Sequence, residues 1–194
     1  SRGLGEVTAK LLAAGSADIK LSYNKGEDDA KKIVNDINAN GGTADYFQYD
    51  VLNKNNNSIK EVLNGWSPTH LYFFATPFIF SGIKGIFSDR IHKKFCKYYV
   101  SGFNNIIDIL LSHGLKRVFY PSTIAIDEKP PDMEEYVSAK LSGEMLCQNF
   151  EKKYDMIKIY KPRLPRMETD QTVSLFSVVN SDPLPIQLEH LRIF

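Results

Sequence analysis

Cysteine is scarce in this chain, with two among 194 residues, Cys96 and Cys147. They form no metal-binding spacing and no disulfide framework, which argues against a cystine-stapled domain and predicts a reducing, cytoplasmic setting. Charge excess is missing too: 24 Lys and Arg stand against 23 Asp and Glu, for a net charge of +1. Nothing global draws such a chain to nucleic acid or to an anionic membrane, and neither is predicted as a partner. No apolar stretch reaches the ~18 residues that a membrane span requires. The four histidines (70, 92, 113 and 190) share no ligand spacing, so no metal is predicted. His113, beside Gly114, is placed to cap a helix C-terminus. The single tryptophan, Trp66 in "NGWSP", reads as a loop anchor. There is no internal repeat, and "NKNNN" (53–57) is a polar loop.

What is present is alternation. At 43% apolar, 194 residues can build one sizeable core, so residues 1–194 are predicted to form a single domain. Helical spacing over 4–14 is followed by an alternating strand at 18–23, "DIKLSY", and a helix over 28–42 with a glycine stop. A strand at 44–51, a short helix at 58–63 and a nearly all-apolar strand at 70–76, "HLYFFAT", come next. A long helix is predicted over 92–114, then strand 116–123, helix 134–153 and strand 156–162. Apolar strands separated by helices imply parallel pairing covered on both faces. The pattern is that of an α/β, Rossmann-like, doubly wound parallel sheet in three layers.

Such a sheet begins with a strand, whereas this chain opens on "SRGLG". Ser1-Arg2-Gly3-Leu4-Gly5 reads as the end of a glycine turn that aims backbone N–H groups at a phosphate from a helix N-terminus. The first strand is therefore expected to be missing, leaving an N-terminally incomplete domain.

A second motif is "YVSAK" (136–140), a Tyr-x-x-x-Lys. Four residues apart on a helix, Tyr136 and Lys140 share a face. A free phenol ionises near ~10, and a neighbouring cation lowers that value toward a useful range. Chance alone supplies roughly one such pair in a chain of this composition, and Tyr154 with Lys158 is the second match. That pair runs into the alternating "MIKIY", where a strand period separates the two side chains. Tyr136 instead follows Ser122-Thr123, hydroxyls closing a buried strand, at the end where doubly wound folds bind ligands.

These residues resemble the short-chain dehydrogenase/reductase family, and the resemblance covers nearly the whole chain. "SRGLG" is similar to the later part of that family's Gly-x-x-x-Gly-x-Gly turn, and "PST…YVSAK" to its Ser…Tyr-x-x-x-Lys site. The family's hydroxyl stands thirteen residues before the Tyr, which is Thr123 here, with Ser122 as its immediate neighbour. The resemblance implies Tyr136 as proton donor to a substrate carbonyl. Lys140 would lower the phenol pKa and hold the nicotinamide ribose, and Thr123 or Ser122 would hydrogen-bond the carbonyl oxygen. It further implies cofactor contacts from Ser1, Arg2, Gly3, Leu4 and Gly5, and from Asp50 and Val51 at the adenine. Ala75 and Thr76, in the place of the family's Asn-Ala-Gly, and Pro162 complete that set. A homo-oligomer and a small-molecule or carrier-borne carbonyl substrate are implied as well.

Cofactor choice is read from charge. Nineteen residues past Gly5 stand Asn24 and Lys25, where a site preferring NAD carries an acid, and Arg2 approaches from a separate segment, so NADP (NADPH) is expected. The departures from the family are Tyr99, where an Asn often precedes Gly102 by three residues, Phe74-Ala75-Thr76, and Pro162-Arg163 for Pro-Gly. The expected function is ketone reduction, with a β-ketoacyl group on a carrier among the substrates. A dinucleotide-binding sensor without turnover and an extended-branch epimerase or dehydratase remain as alternatives. Residues 163–194 are expected to form the lid and C-terminal segment; Arg163 and Arg166 in "RLPRMETDQT" would meet an acidic or phosphopantetheine-borne substrate.

Overall fold

A computed structural model describes residues 2–53, 57–80, 84–167 and 181–194. Ser1 and the 168–180 part of the expected lid lie outside the described residues. The chain divides into two compact units, Ser1–Trp66 with Met167–Phe194, and Ser67–Arg166.

In the first unit, α1 (Leu4–Ala14), β1 (Asp18–Tyr23), α2 (Glu27–Ala39), β2 (Thr43–Gln48) and α3 (Asn57–Leu63) follow in order, and α8 (Pro183–Ile193) returns from the C-terminal end. β1 and β2 pair in parallel, Asp18 opposite Thr43 through Tyr23 opposite Gln48. The apolar faces of α1 and α2 meet that ladder in a core of Ala9, Ala13, Leu21, Ala30, Ile33, Val34, Ile37 and Ala44. Trp66 anchors its loop by donating from Nε1 to Asp18 Oδ2 at 2.9 Å.

The second unit holds a parallel sheet in the order β3 (His70–Tyr72), β4 (Arg117–Phe119), β6 (Lys158–Tyr160). A short parallel pair, β5 (Ser122–Thr123) with β7 (Arg163–Leu164), extends the two latter chains. Its helices are α4 (Asp89–Cys96), α5 (Phe103–Leu111), α6 (Ala125–Glu128) and α7 (Glu134–Lys153). The fold is the expected α/β, Rossmann-like one, with parallel strand pairs throughout.

Two elements differ in kind from their expectations, and the strands expected over 70–76 and 156–162 are shorter, at His70–Tyr72 and Lys158–Tyr160. The helix predicted as continuous over 92–114 begins at Asp89 and is interrupted by a π-helix at Lys97–Gly102. It closes near His113, whose Nδ1 lies 2.9 Å from the Ile109 carbonyl, and Gly114 takes φ 95°, a left-handed value that favours glycine. The strand predicted over 116–123 breaks at Tyr120-Pro121, because proline has no N–H to give a ladder. Tyr120 N still donates to Tyr160 O and Ser122 N to Pro162 O, both at 2.8 Å, so the chain stays in line past the break.

Candidate active site

α7 starts with Glu134 and Glu135 and ends with Lys152 and Lys153, charges that complement its dipole. Glu135 turns inward and accepts from the Ser88 N–H at 2.7 Å, tying α7 to the start of α4. One residue on, Tyr136 is buried, and Lys140 follows one turn later, also buried. The strand end supplies the third group. The Thr123 hydroxyl lies near enough to the Tyr136 phenol to act on its ionisation, and Thr123 Oγ1 is held from behind by the Ala125 N–H at 3.2 Å.

The expected lowering of the Tyr136 phenol pKa does not appear. Burial pushes the Tyr136 phenol up to about 12, with the Thr123 hydroxyl acting in the opposite direction. Lys140 moves the other way, to about 7, because burial disfavours its ammonium. Its Nζ donates to the Pro121 carbonyl at 2.7 Å. It also lies 4.1 Å from the centre of the Tyr99 ring, against 5.9 Å for Tyr136. The ammonium therefore spends its interactions on a carbonyl and a neighbouring ring, and burial governs the phenol.

Adjacent strand residues point to opposite sides, and this separates the two candidate hydroxyls. Thr123 meets Tyr136, whereas Ser122 donates to Glu144 Oε1 at 2.5 Å. Glu144 is gripped by Arg163 through Nε to Oε1 at 3.0 Å and Nη2 to Oε2 at 2.8 Å, while Arg163 Nη1 reaches Asp127. Burial works to raise the Glu144 pKa, but the Arg163 and Ser122 hydrogen bonds outweigh it and hold the carboxyl low. Arg163 is thus already engaged by two carboxylates.

Thr76 and Tyr99 are joined, Oγ1 to Oη, at 2.5 Å. The Thr76 hydroxyl also reaches Pro77 O at 3.0 Å, so with its proton given there, Tyr99 is the donor between the two. Tyr99 stacks on Phe95 and meets Tyr136 edge-on at 5.8 Å. The second Tyr-x-x-x-Lys match is dispersed: Tyr154 takes extended φ/ψ at the end of α7, and Lys158 opens β6. Sequence reasoning passed over Tyr120, the Pro121 carbonyl and Glu144. The signal for Glu144 was there, since it stands four residues after Lys140 on one helix.

The remaining expected residues lie mostly in the first unit. Gly3 precedes α1 with φ 53° and ψ −127°, a conformation open to glycine, and Gly5 is buried in the first turn beside Leu4. Arg2 is exposed, its Nε 3.6 Å from Asp29 Oδ2 in the first turn of α2. Asn24 and Lys25 are exposed after β1, and the Asn24 carbonyl accepts from Gln48. Asp50 caps a turn, Oδ1 accepting from Leu52 N at 2.9 Å, next to buried Val51. In the second unit, Ala75 is half-buried and Pro162 buried.

Solved structures with this architecture include an alcohol dehydrogenase from the archaeon Thermococcus sibiricus complexed with 5-hydroxy-NADP. It is 17% identical, the match covering 99% of this chain and 86% of that one, at a TM-score of 0.83. A short chain dehydrogenase from Burkholderia cenocepacia in complex with NADP is 18% identical, with 97% and 84% covered and a TM-score of 0.82. A 3-oxoacyl (acyl-carrier-protein) reductase from Agrobacterium tumefaciens with NADP bound is 16% identical, with 98% and 82% covered, at 0.82. The fold is that of the short-chain dehydrogenase/reductases. No protein-family model and no curated protein sequence matches the chain, so the likeness is one of fold.

Proposed function

We propose that this short-chain dehydrogenase/reductase fold is an NADP-dependent oxidoreductase that reduces a ketone to an alcohol. One observation carries the reading: at the end of a parallel strand, a buried phenol stands beside a threonine hydroxyl that acts on its ionisation, with a buried lysine one turn away. The first unit carries donors suited to the phosphates of a dinucleotide. The N-terminus of α1 behind Gly3 leaves N–H groups for phosphate oxygens, and exposed Arg2 and Lys25 supply cations for a 2′-phosphate. NADPH would supply the hydride.

Each residue of this chain then has a task. Tyr136 is firmly protonated at neutral pH, so it is ready to donate to the carbonyl oxygen as negative charge develops there. Thr123, held by Ala125, positions that oxygen and steadies the phenolate left behind. Lys140 adds a positive charge beside the phenolate and offers hydrogen bonds to the ribose. The β-ketoacyl substrate class rests on the fold shared with the acyl-carrier-protein reductase. Tyr99 with its hydroxyl on Thr76, in place of the family's Asn, favours a second reading: a module that binds dinucleotide without turnover. A homo-oligomer belongs to the proposal as well.

The experiment is NADPH consumption with a panel of diketones and acyl thioesters. Turnover supports the reductase. NADPH binding without turnover on any substrate supports the second reading, and turnover of nucleotide sugars without net cofactor use would replace both.

A further inference from the structure

The departure at Tyr99 carries more than a loss. We propose that Tyr99 is a positioning residue for Lys140, its ring forming the main wall of an aromatic cage that holds the Lys140 ammonium against the Pro121 carbonyl. The inference rests on the reading of Lys140 as a working residue of the site.

Three tyrosines surround this one side chain. Lys140 Nζ stands 4.1 Å from the Tyr99 ring centre, 5.0 Å from Tyr120 and 5.9 Å from Tyr136. Ammonium groups within about 6 Å of a ring centre are attracted by its quadrupole, most strongly where water is excluded. Tyr99 is the nearest and is itself 1% exposed, so its face is dry.

The wall is fixed from several directions. The Tyr99 hydroxyl is bound to Thr76, its ring stacks on Phe95 with 6° between planes, and its backbone carbonyl accepts from the Tyr120 hydroxyl at 3.3 Å. That last bond makes two walls brace each other. Tyr99 also sits inside the π-helix, an irregularity that recurs at functional sites.

The need for a cage follows from burial. Desolvation drives Lys140 toward the neutral amine, as its lowered pKa records. Against that act Cys147 and Glu144 and, at contact range, the ring faces and the Pro121 carbonyl. The titratable groups facing Lys140 are Tyr136, Glu144 and Cys147 on its own helix, Tyr99 on the π-helix, and Tyr120 at the end of β4. Glu144 is largely satisfied by Arg163 and Ser122, and the Cys147 thiol is pushed up to about 12 by burial and stays neutral. The rings and one carbonyl are the groups that meet the ammonium at contact range.

The test reads Lys140 directly. Lysine labelled with ¹³C at Cε is titrated by NMR in the whole chain, the Lys140 signal being assigned by its loss in Lys140→Met. Tyr99→Phe keeps the ring and removes only the tie to Thr76, and its midpoint should stay within about 0.3 unit of wild type. Tyr99→Met removes the π face, and the midpoint should fall by roughly 0.4 to 1.5 units. If Tyr99→Met does not fold, pentafluorophenylalanine at position 99 keeps the shape and reverses the quadrupole; the same fall is expected. A midpoint unchanged or raised in whichever of these folds, or an equal fall in Tyr99→Phe, overturns the cage. In any turnover found, the alkaline limb of kcat/KM should move down with the NMR midpoint. Absent turnover would sink the reductase reading while the NMR shift still decided the cage.

Discussion

Gly143→Ala sets two effects of opposite sign against each other. An alanine inside a helix is favoured over glycine by about 1 kcal/mol, so on propensity alone α7 should be strengthened. The packing argues the reverse. A Cβ at position 143 would stand 1.8 Å from the Tyr120 hydroxyl oxygen, 2.6 Å from Tyr120 Cζ and 3.1 Å from the Tyr99 carbonyl. Tyr120 is fully buried and follows directly on β4, so its ring cannot swing into solvent. Overpacking of this kind costs about 1–3 kcal/mol, and the displaced hydroxyl forfeits a bond to Tyr99 worth about 1 kcal/mol. The balance is a loss of roughly 1–3 kcal/mol after the propensity gain. Urea unfolding of wild type and variant, compared at equal slope, reads it. A Gly143→Ala variant as stable as wild type, or more so, would refute the close approach of α7 to Tyr120.

Two further outcomes follow from charge. If Arg2 and Lys25 meet a 2′-phosphate, NADPH should bind more tightly than NADH, and the Arg2→Ala, Lys25→Ala double variant should erase about tenfold or more of that ratio. Asp29→Asn, which removes one ion-pair partner of Arg2, should tighten NADPH by up to a few-fold; equal affinities for the two cofactors in wild type would overturn the assignment. Lys140 makes stability depend on pH. Its folded pKa, about 7, lies below the ordinary 10.5, so above pH 7 the unfolded chain binds a proton that the folded chain has released. Stability should therefore rise from pH 7 to pH 9 in wild type relative to Lys140→Met. Urea midpoints that move in parallel would show that Lys140 is not buried as described.

Much of the fold was legible because its signals are local. Helices 4–14 and 134–153 and strand 18–23 were expected at the bounds observed, since apolar periodicity and glycine stops lie within each segment. The π-turn at Lys97–Gly102 was not legible. Its apolar spacing is compatible with a continuous helix, and the switch depends on packing against other elements. α6 and α8 were missed for other reasons, α6 being a four-residue helix and α8 hiding behind two prolines that fit its first turn. For the site, spacing and strand context selected Tyr136 with Lys140 over Tyr154 with Lys158, but they could not rank Ser122 against Thr123. That ranking is a question of which way each side chain points from β5, and a difference of one residue reverses the answer. The direction of the phenol pKa was misjudged because the expectation counted the lysine's charge and not the burial of the ring.

The central claim is that Tyr136 donates the proton in carbonyl reduction. Its most direct measurement is single-turnover NADPH oxidation, with the best substrate of the panel, in wild type, Tyr136→Phe and Tyr154→Phe. Tyr136→Phe removes one hydroxyl from a ring packed against Phe95 and Tyr99, so NADPH binding should persist while the rate falls by about 10² to 10⁴-fold. Tyr154→Phe should leave the rate unchanged. A Tyr136→Phe variant that reduces substrate at the wild-type rate, or equal losses in both variants, would contradict the account.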